Sequence, residues 1–369
     1  MTGAEVYLKA ENLQKTGSFK VRGAFNKIIN ISDKRVIAAS MGNHAQAVAF
    51  AAGGLGKHAR IVMPVSVPII KEEATRGYGA DVVLHGESFN DALNYAVSQK
   101  DYTFIHAFDD EEVIAGQGTL GIEIMEDITD ADILFVPVGG GGLISGISAA
   151  VKTLSPGTKV IGVQTESAVS AYVSFREKKV SHKPPLPTIA DGIAVGKVGD
   201  KTLEIMNKYV DDIMLVDEDS IAMAILLFLE RKKLVVEGAG AVTLAALMKI
   251  KDELKGKRIV LVISGGNIDF TLIDRIIHKG LVTSGRIGVF EVKVDDVPGR
   301  LHVLTAIISA YRANILNVVH DRIGSDLPIG KTKVVFTVEI RNRDHLKEIL
   351  SELEKKGFEA SKRTFEKLT

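Results

Sequence analysis

Short runs of β-branched and other apolar residues alternate along this chain with longer stretches whose apolar positions recur every three or four residues. The short runs predict strands over 36–40, 59–64, 81–85, 103–108, 132–138, 159–164, 212–216 and 258–264. The longer stretches predict helices over 20–30, 44–52, 67–78, 87–100, 116–128, 143–152, 220–231, 239–249 and 269–279. Runs such as Ile133-Leu134-Phe135-Val136 and Ile259-Val260-Leu261-Val262-Ile263 do not alternate, so both of their faces should be covered. Strands alternating with helices in this way predict an α/β architecture, a parallel sheet with helices on both faces. The rhythm changes after about residue 280. A linker at 281–287 precedes a strand (288–294), a helix (299–311), strands at 314–321 and 332–340, a helix at 343–356 and a last strand around 358–360. This order describes a ferredoxin-like α+β unit. The expected division is therefore a domain over 1–280, with a small subdomain at about 32–118 inserted in it, and a second domain over 288–369.

Composition narrows the function. The chain has 369 residues, 46% apolar and 25% charged, as in an ordinary globular protein with a large core. Lys+Arg and Asp+Glu both number 46, and the missing basic excess argues against a nucleic-acid binder. Without cysteine there are no disulfides and no thiolate metal site. No secretion signal and no membrane-length apolar run is visible, so a cytoplasmic enzyme is expected.

Three separated motifs carry chemistry. Lys20 lies in Thr16-Gly17-Ser18-Phe19-Lys20-Val21-Arg22-Gly23-Ala24, an amine able to form a Schiff base. Gly139-Gly140-Gly141-Gly142 follows a buried strand and opens a helix, where backbone N–H groups can hold a phosphate. Ser264-Gly265-Gly266-Asn267 ends another buried strand, and strand C-termini are where ligands sit in open α/β sheets. A hydroxyl there can meet a pyridine nitrogen. Together these point to pyridoxal phosphate and amine chemistry on a small amino acid. Taken alone, the glycine loop also mimics a dinucleotide fingerprint, with Glu166 as the ribose acid, which keeps a nucleotide-dependent oxidoreductase open. Ser40-Met41-Gly42-Asn43-His44 opens another helix and offers N–H groups to a substrate carboxylate. Glu237, before an apolar helix, either caps that helix or faces the ligand.

In order, these motifs resemble those of fold-type II pyridoxal phosphate enzymes, specifically the threonine dehydratase (threonine ammonia-lyase) family. The likeness extends through Val6–Gln14, Arg76–His85, Ala115–Thr119 and Thr188–Val195. It implies two open parallel-sheet subdomains. Lys20 would carry the cofactor, with Phe19 against it. Gly139, Gly140, Gly141, Gly142 and Leu143 would hold its phosphate, Asn43 would meet its phenolic oxygen and Ser264 its ring nitrogen, with Glu237 nearby. Ser40, Gly42, Asn43 and His44 would surround the substrate carboxylate. Serine racemases of this fold have a serine base where this chain has Met41, which predicts deamination with little racemisation. Their acidic metal site corresponds here to Gln164, Ala168 and Ser170, so no acidic metal site is expected, and a monovalent cation held by carbonyls stays open as an alternative. Family members also carry a few dozen residues ahead of the Val6-Tyr7-Leu8-Lys9 motif. The C-terminal unit resembles an ACT domain through Val297-Pro298-Gly299-Arg300-Leu301 and Ala313–Val318. That likeness implies pairing between copies, as a homo-dimer or homo-tetramer, or an amino-acid effector near Asp296, Gly299, Leu301 and Asn314.

The expected reaction is β-elimination of L-threonine to 2-oxobutanoate and ammonia. L-Serine is expected as a secondary substrate, because one methyl group in an apolar pocket discriminates by only ~1–3 kcal/mol. L-Serine dehydratase and serine racemase are the neighbouring alternatives. An amino-acid sensor without turnover is the alternative from another class.

Overall fold

The structure, a computed structural model, describes residues 3–322 and 327–363; the end of the expected second domain, 364–369, lies outside the described residues. The chain forms two compact units that divide after Phe270.

The first unit runs β1 (Glu5–Ala10), α1 (Lys20–Ile29), β2 (Arg35–Ala39), α2 (Asn43–Gly54), β3 (His58–Met63), α3 (Ile69–Gly77), β4 (Asp81–Leu84), α4 (Phe89–Ser98) and β5 (Thr103–Phe104). It continues α5 (Glu111–Asp127), β6 (Ile133–Pro137), α6 (Gly142–Leu154), β7 (Lys159–Thr165), α7 (Ser170–Glu177), α8 (Asp200–Tyr209), β8 (Asp212–Val216), α9 (Glu218–Leu227), α10 (Gly238–Lys249) and β9 (Arg258–Ile263). Two parallel sheets result, a large one in the order β1-β9-β6-β7-β8 and a small one in the order β4-β3-β2-β5. The non-alternating strands β6 and β9 are neighbours inside the large sheet: Leu134, Phe135 and Val136 in β6, and Leu261, Val262 and Ile263 in β9, have no exposed surface. Each sheet reverses its winding once. In the large sheet this happens between β6 and β9, in the small sheet between β2 and β5. A crevice opens beyond the strand ends at such points.

Several elements differ from expectation. β1 is a strand beside β9, although its polar Glu5 and Lys9 hide the pattern of an edge position. The strand expected over 103–108 pairs with β2 only at Thr103–Phe104, after which the chain turns away. Helix α5 starts at Glu111, not 116, because the Asp110 carboxylate caps it through Glu112 N and Val113 N. Helices α7 and α8 were not expected, and neither has a side-chain cap from its own N-cap residue.

The second unit begins one residue into α11 (Phe270–Thr283) and continues with β10 (Ile287–Asp295), α12 (Arg300–Ala310), β11 (Asn314–Asp321), β12 (Lys331–Glu339), α13 (Arg343–Lys355) and β13 (Glu359–Lys362). Its antiparallel sheet has the order β11-β12-β10-β13. Phe290 and Phe336 stack across the β10–β12 pair at 5.4 Å. The linker expected over 281–287 shrinks to 284–286, because α11 buries Ile273, Ile276 and Gly280 and continues to Thr283. Among the described residues, no helix is long and apolar enough to cross a membrane.

Candidate active site

The candidate site is built from the residues that follow the two strands flanking the winding reversal of each sheet. From the large sheet come Gly139–Gly142 after β6 and Ser264–Asn267 after β9. From the small sheet come Ser40–His44 after β2 and Ile105–Phe108 after β5. Lys20, at the start of α1, is tied to them. Phe19 N donates to Ser264 O at 3.0 Å, and Ser18 pairs with Gly265. Lys20 Nζ donates to the Ala107 carbonyl at 2.8 Å and lies 5.2 Å from the centre of the Phe19 ring. Burial lowers the Lys20 ammonium pKa to about 8, opposed by the charge of Glu237. An amine with that pKa keeps a neutral fraction near pH 7.

The glycine loop presents an uncommitted row of donors. Gly141 caps α6 in the left-handed region, at φ +96°, where a side chain is strained. No backbone or side-chain acceptor among the described residues takes the N–H of Gly139, Gly140, Gly141, Gly142 or Leu143. Five such N–H groups at a helix N-terminus fit a phosphate. The loop's carbonyls, in contrast, are used: Gly140 O accepts from Thr202 Oγ1 at 2.7 Å and from Gly199 N at 3.3 Å.

The start of α2 offers a second set. The N–H groups of Asn43, His44 and Ala45 have no acceptor among the described residues, and Gly42 N donates to Ser40 Oγ at 3.2 Å. The His44 ring is buried and faces away from this role, with Nε2 donating to Ile105 O at 3.0 Å. Burial, then the neighbouring Lys20, lowers its pKa to about 3, so it is neutral. Asn43 is held by side chains. Its Nδ2 donates to both Glu237 oxygens, at 2.9 and 3.1 Å, and its Oδ1 accepts from Asn267 Nδ2 at 2.8 Å. Asn267 also donates to Thr16 O at 2.8 Å. Glu237, at the N-terminus of α10, does not cap its own helix. Burial raises its pKa to about 7, against the hydrogen bond from Asn43. A Cβ on Gly265 would lie 2.4 Å from Glu237 Oε1, so any larger residue there must displace this carboxylate.

These contacts link the segments that carry Lys20, Phe19, Asn43, Glu237, the glycine loop and Ser264. Sequence reasoning missed Ala107 and Thr202, which act through a carbonyl and a helix start, and gave Asn267 no role of its own within its motif. The side chains at the metal-site positions are otherwise engaged: Gln164 Oε1 accepts from Tyr172 N, and Ser170 donates to Val195 O. Among the described residues, no group of three or more His, Asp or Glu could hold a metal ion. In the second unit Asp296, Gly299 and Leu301 cluster around the β10–α12 turn, where Asp296 pairs with Arg322 at 3.2 Å. Asn314 is not with them. It aligns with Glu339 and Ile287 at the opposite end of the sheet, because α12 carries the chain back along β10 before β11 begins.

Comparison with known proteins agrees with this geometry. The chain is 50% identical to an L-threonine ammonia-lyase of Thermotoga maritima, over 97% of this chain and 91% of that protein. It is 46% identical to one from Geobacter sulfurreducens, over 96% and 90%. The solved structure of the processed form of threonine deaminase isoform 2 from Solanum lycopersicum superposes with a TM-score of 0.73 at 40% identity, covering 75% of this chain and 83% of that one. Residues 1–265, which hold both parallel sheets, the buried lysine and the glycine loop, match the family described as pyridoxal-phosphate dependent enzyme, and the chain belongs to that family.

Proposed function

We propose that this chain is an L-threonine ammonia-lyase, converting L-threonine to 2-oxobutanoate and ammonia, with L-serine as a slower substrate. The observation that carries the reading is the Lys20 amine, its pKa lowered to about 8, tied through the Ala107–Phe108 turn to the glycine loop, with two rows of N–H groups for which the described residues supply no acceptor. One row suits a phosphate and the other a carboxylate. Pyridoxal phosphate, when bound, supplies an electron sink for the bonds at the substrate Cα.

The chain's own residues do the rest. Gly139 to Leu143 would donate backbone N–H groups to the phosphate, and Phe19 and Ser264 would hold the ring and its nitrogen. Ser264 is a neutral partner, which suits elimination better than transamination. Asn43 would meet the phenolic oxygen, its amide orientation set by Glu237 on one side and Asn267 on the other. Ser40, Gly42, Asn43 and the backbone of His44 hold the substrate carboxylate. Lys20 Nζ, once neutral, takes the Cα proton. Met41 has no proton to exchange on the opposite face, which favours deamination over racemisation. The second unit is proposed as an ACT-like module that pairs copies into a dimer or tetramer or binds an amino-acid effector around Asp296, Gly299 and Leu301.

The test is release of 2-oxo acid from L-threonine and L-serine, side by side, by the full chain supplied with pyridoxal phosphate. Faster release from threonine, abolished in Lys20→Ala, is expected. No release from either substrate by a chain that shows the bound-cofactor absorbance would reject the proposed reaction.

A further inference from the structure

We propose that His106 is a positioning residue: through its Nδ1 it shapes the 106–109 turn, which sets the Lys20 amine at one end of the site and the glycine loop at the other. The inference rests on the cofactor reading of Lys20 and Gly139–Leu143 given above. After β5 ends at Phe104, the chain leaves the sheet, and the N–H groups of Phe108 and Asp109 find no backbone acceptor among the described residues. His106 Nδ1 accepts both, at 3.2 and 2.8 Å. Because both partners are donors, Nδ1 carries the lone pair and the neutral ring is protonated at Nε2. A side-chain acceptor taking the N–H groups two and three residues ahead is the pattern of an Asx turn, made here by an imidazole.

Each residue of the turn then has one task. Ala107 O receives Lys20 Nζ at 2.8 Å. The Phe108 ring stands perpendicular to His106 at 4.7 Å and covers Gly140 so closely that a Cβ there would lie 2.4 Å from it. The Asp109 carboxylate accepts from Asp200 N, Lys201 N and Thr202 N, at 3.2, 3.0 and 3.2 Å. It caps α8 in place of Gly199, which has no side chain to do so. The capped helix places Thr202 Oγ1 on Gly140 O. Four consecutive residues therefore connect the amine to the phosphate-sized row of N–H groups, and one imidazole nitrogen holds their turn closed.

The experiment uses the full chain with its cofactor removed and titrated back, following the absorbance of bound pyridoxal phosphate in wild type, Lys20→Ala, His106→Ala, His106→Gln and His106→Asn. Asparagine can accept the same two N–H groups; alanine has no acceptor, and glutamine places its oxygen one methylene too far. Losing an acceptor for two N–H groups should weaken cofactor binding about tenfold in His106→Ala and His106→Gln and shift the absorbance band. His106→Asn should return both to near wild type. If His106→Ala fails to fold, His106→Gln carries the same comparison. A purely structural role would lower the melting midpoint of the cofactor-free protein while leaving the band in place, and that result overturns the inference. So does His106→Asn behaving no better than His106→Ala or His106→Gln. A wild-type chain with no band lost in Lys20→Ala overturns the functional reading, and the inference falls with it.

Discussion

The Lys20 amine should take up pyridoxal phosphate with a pH profile that Glu237 shapes. Burial lowers the Lys20 pKa from 10.5 to about 8, and the Glu237 charge works against that shift. At pH 7 about one-tenth of the chains then carry a neutral amine, against about one in three thousand for an unperturbed lysine. Only the neutral amine attacks an aldehyde. The uptake rate constant of the cofactor-free protein should therefore rise about tenfold per pH unit up to pH 8 and level off above it. Glu237→Gln removes a field that raises the Lys20 pKa, so its inflection should move to lower pH. The Glu237 carboxyl is itself raised to about 7, so its charge is present above pH 7 and fades below it. The variant should outpace wild type between pH 7 and 8, and the two should converge on either side of that window. Stopped-flow absorbance on both proteins measures this, and the cofactor's own ionisations cancel in the ratio of the two rates. A wild-type inflection near 10, or a variant slower than wild type in the window, would refute the reasoning.

Three further outcomes can be checked on stability and turnover. Between pH 4.5 and 7 the folded chain holds a proton on Glu237 that the unfolded chain releases, so this group's contribution to stability falls as pH rises. Melting midpoints of Glu237→Gln should accordingly gain on wild type from pH 5 to pH 7.5; a constant difference would contradict the assignment. Arg22 donates to both oxygens of the buried Glu11 at 2.8 and 2.9 Å and to both oxygens of Glu123 at 2.6 and 2.8 Å. Arg22→Met leaves the Glu11 carboxylate unpaired and should cost about 3–5 kcal/mol in denaturant unfolding, with Arg22→Lys recovering only part of it because the fork is lost. Gly265→Ala drives a methyl group against Glu237 Oε1 and toward Asn43 Nδ2, contacts of 2.4 and 3.2 Å before relaxation. It should cost about 1–3 kcal/mol of stability and at least about tenfold in kcat/KM on threonine; unchanged kinetics would mean that the Glu237–Asn43 pair plays no part.

What could be read from the chain and what could not divide along a physical line. Buried strands such as 133–136 and 259–263 announce themselves, because a run covered on both faces has no polar position to interrupt it. Lys20, Gly139–Gly142 and Ser264 were legible for a similar reason: each is a local cluster of residue types with few uses besides chemistry. Helix α8 was not, since its start is capped by Asp109, more than ninety positions earlier in the chain. Thr202 was invisible along with it. Asn43 was legible as the opening of a helix but not as the centre of a network, because its partners Glu237 and Asn267 lie 194 and 224 positions further along the chain. The extra length assigned to the strand at 103–108 reflects apolar content alone. What ends it after Phe104 is a set of partners in space, with Ala107 drawn to Lys20 and Phe108 to Gly140. The candidate groups can thus be picked out one by one in the sequence, while the contacts that link them lie between segments distant in sequence. The useful mutations are for that reason at His106, Glu237 and Gly265, where one substitution changes how two sheets present the same lysine.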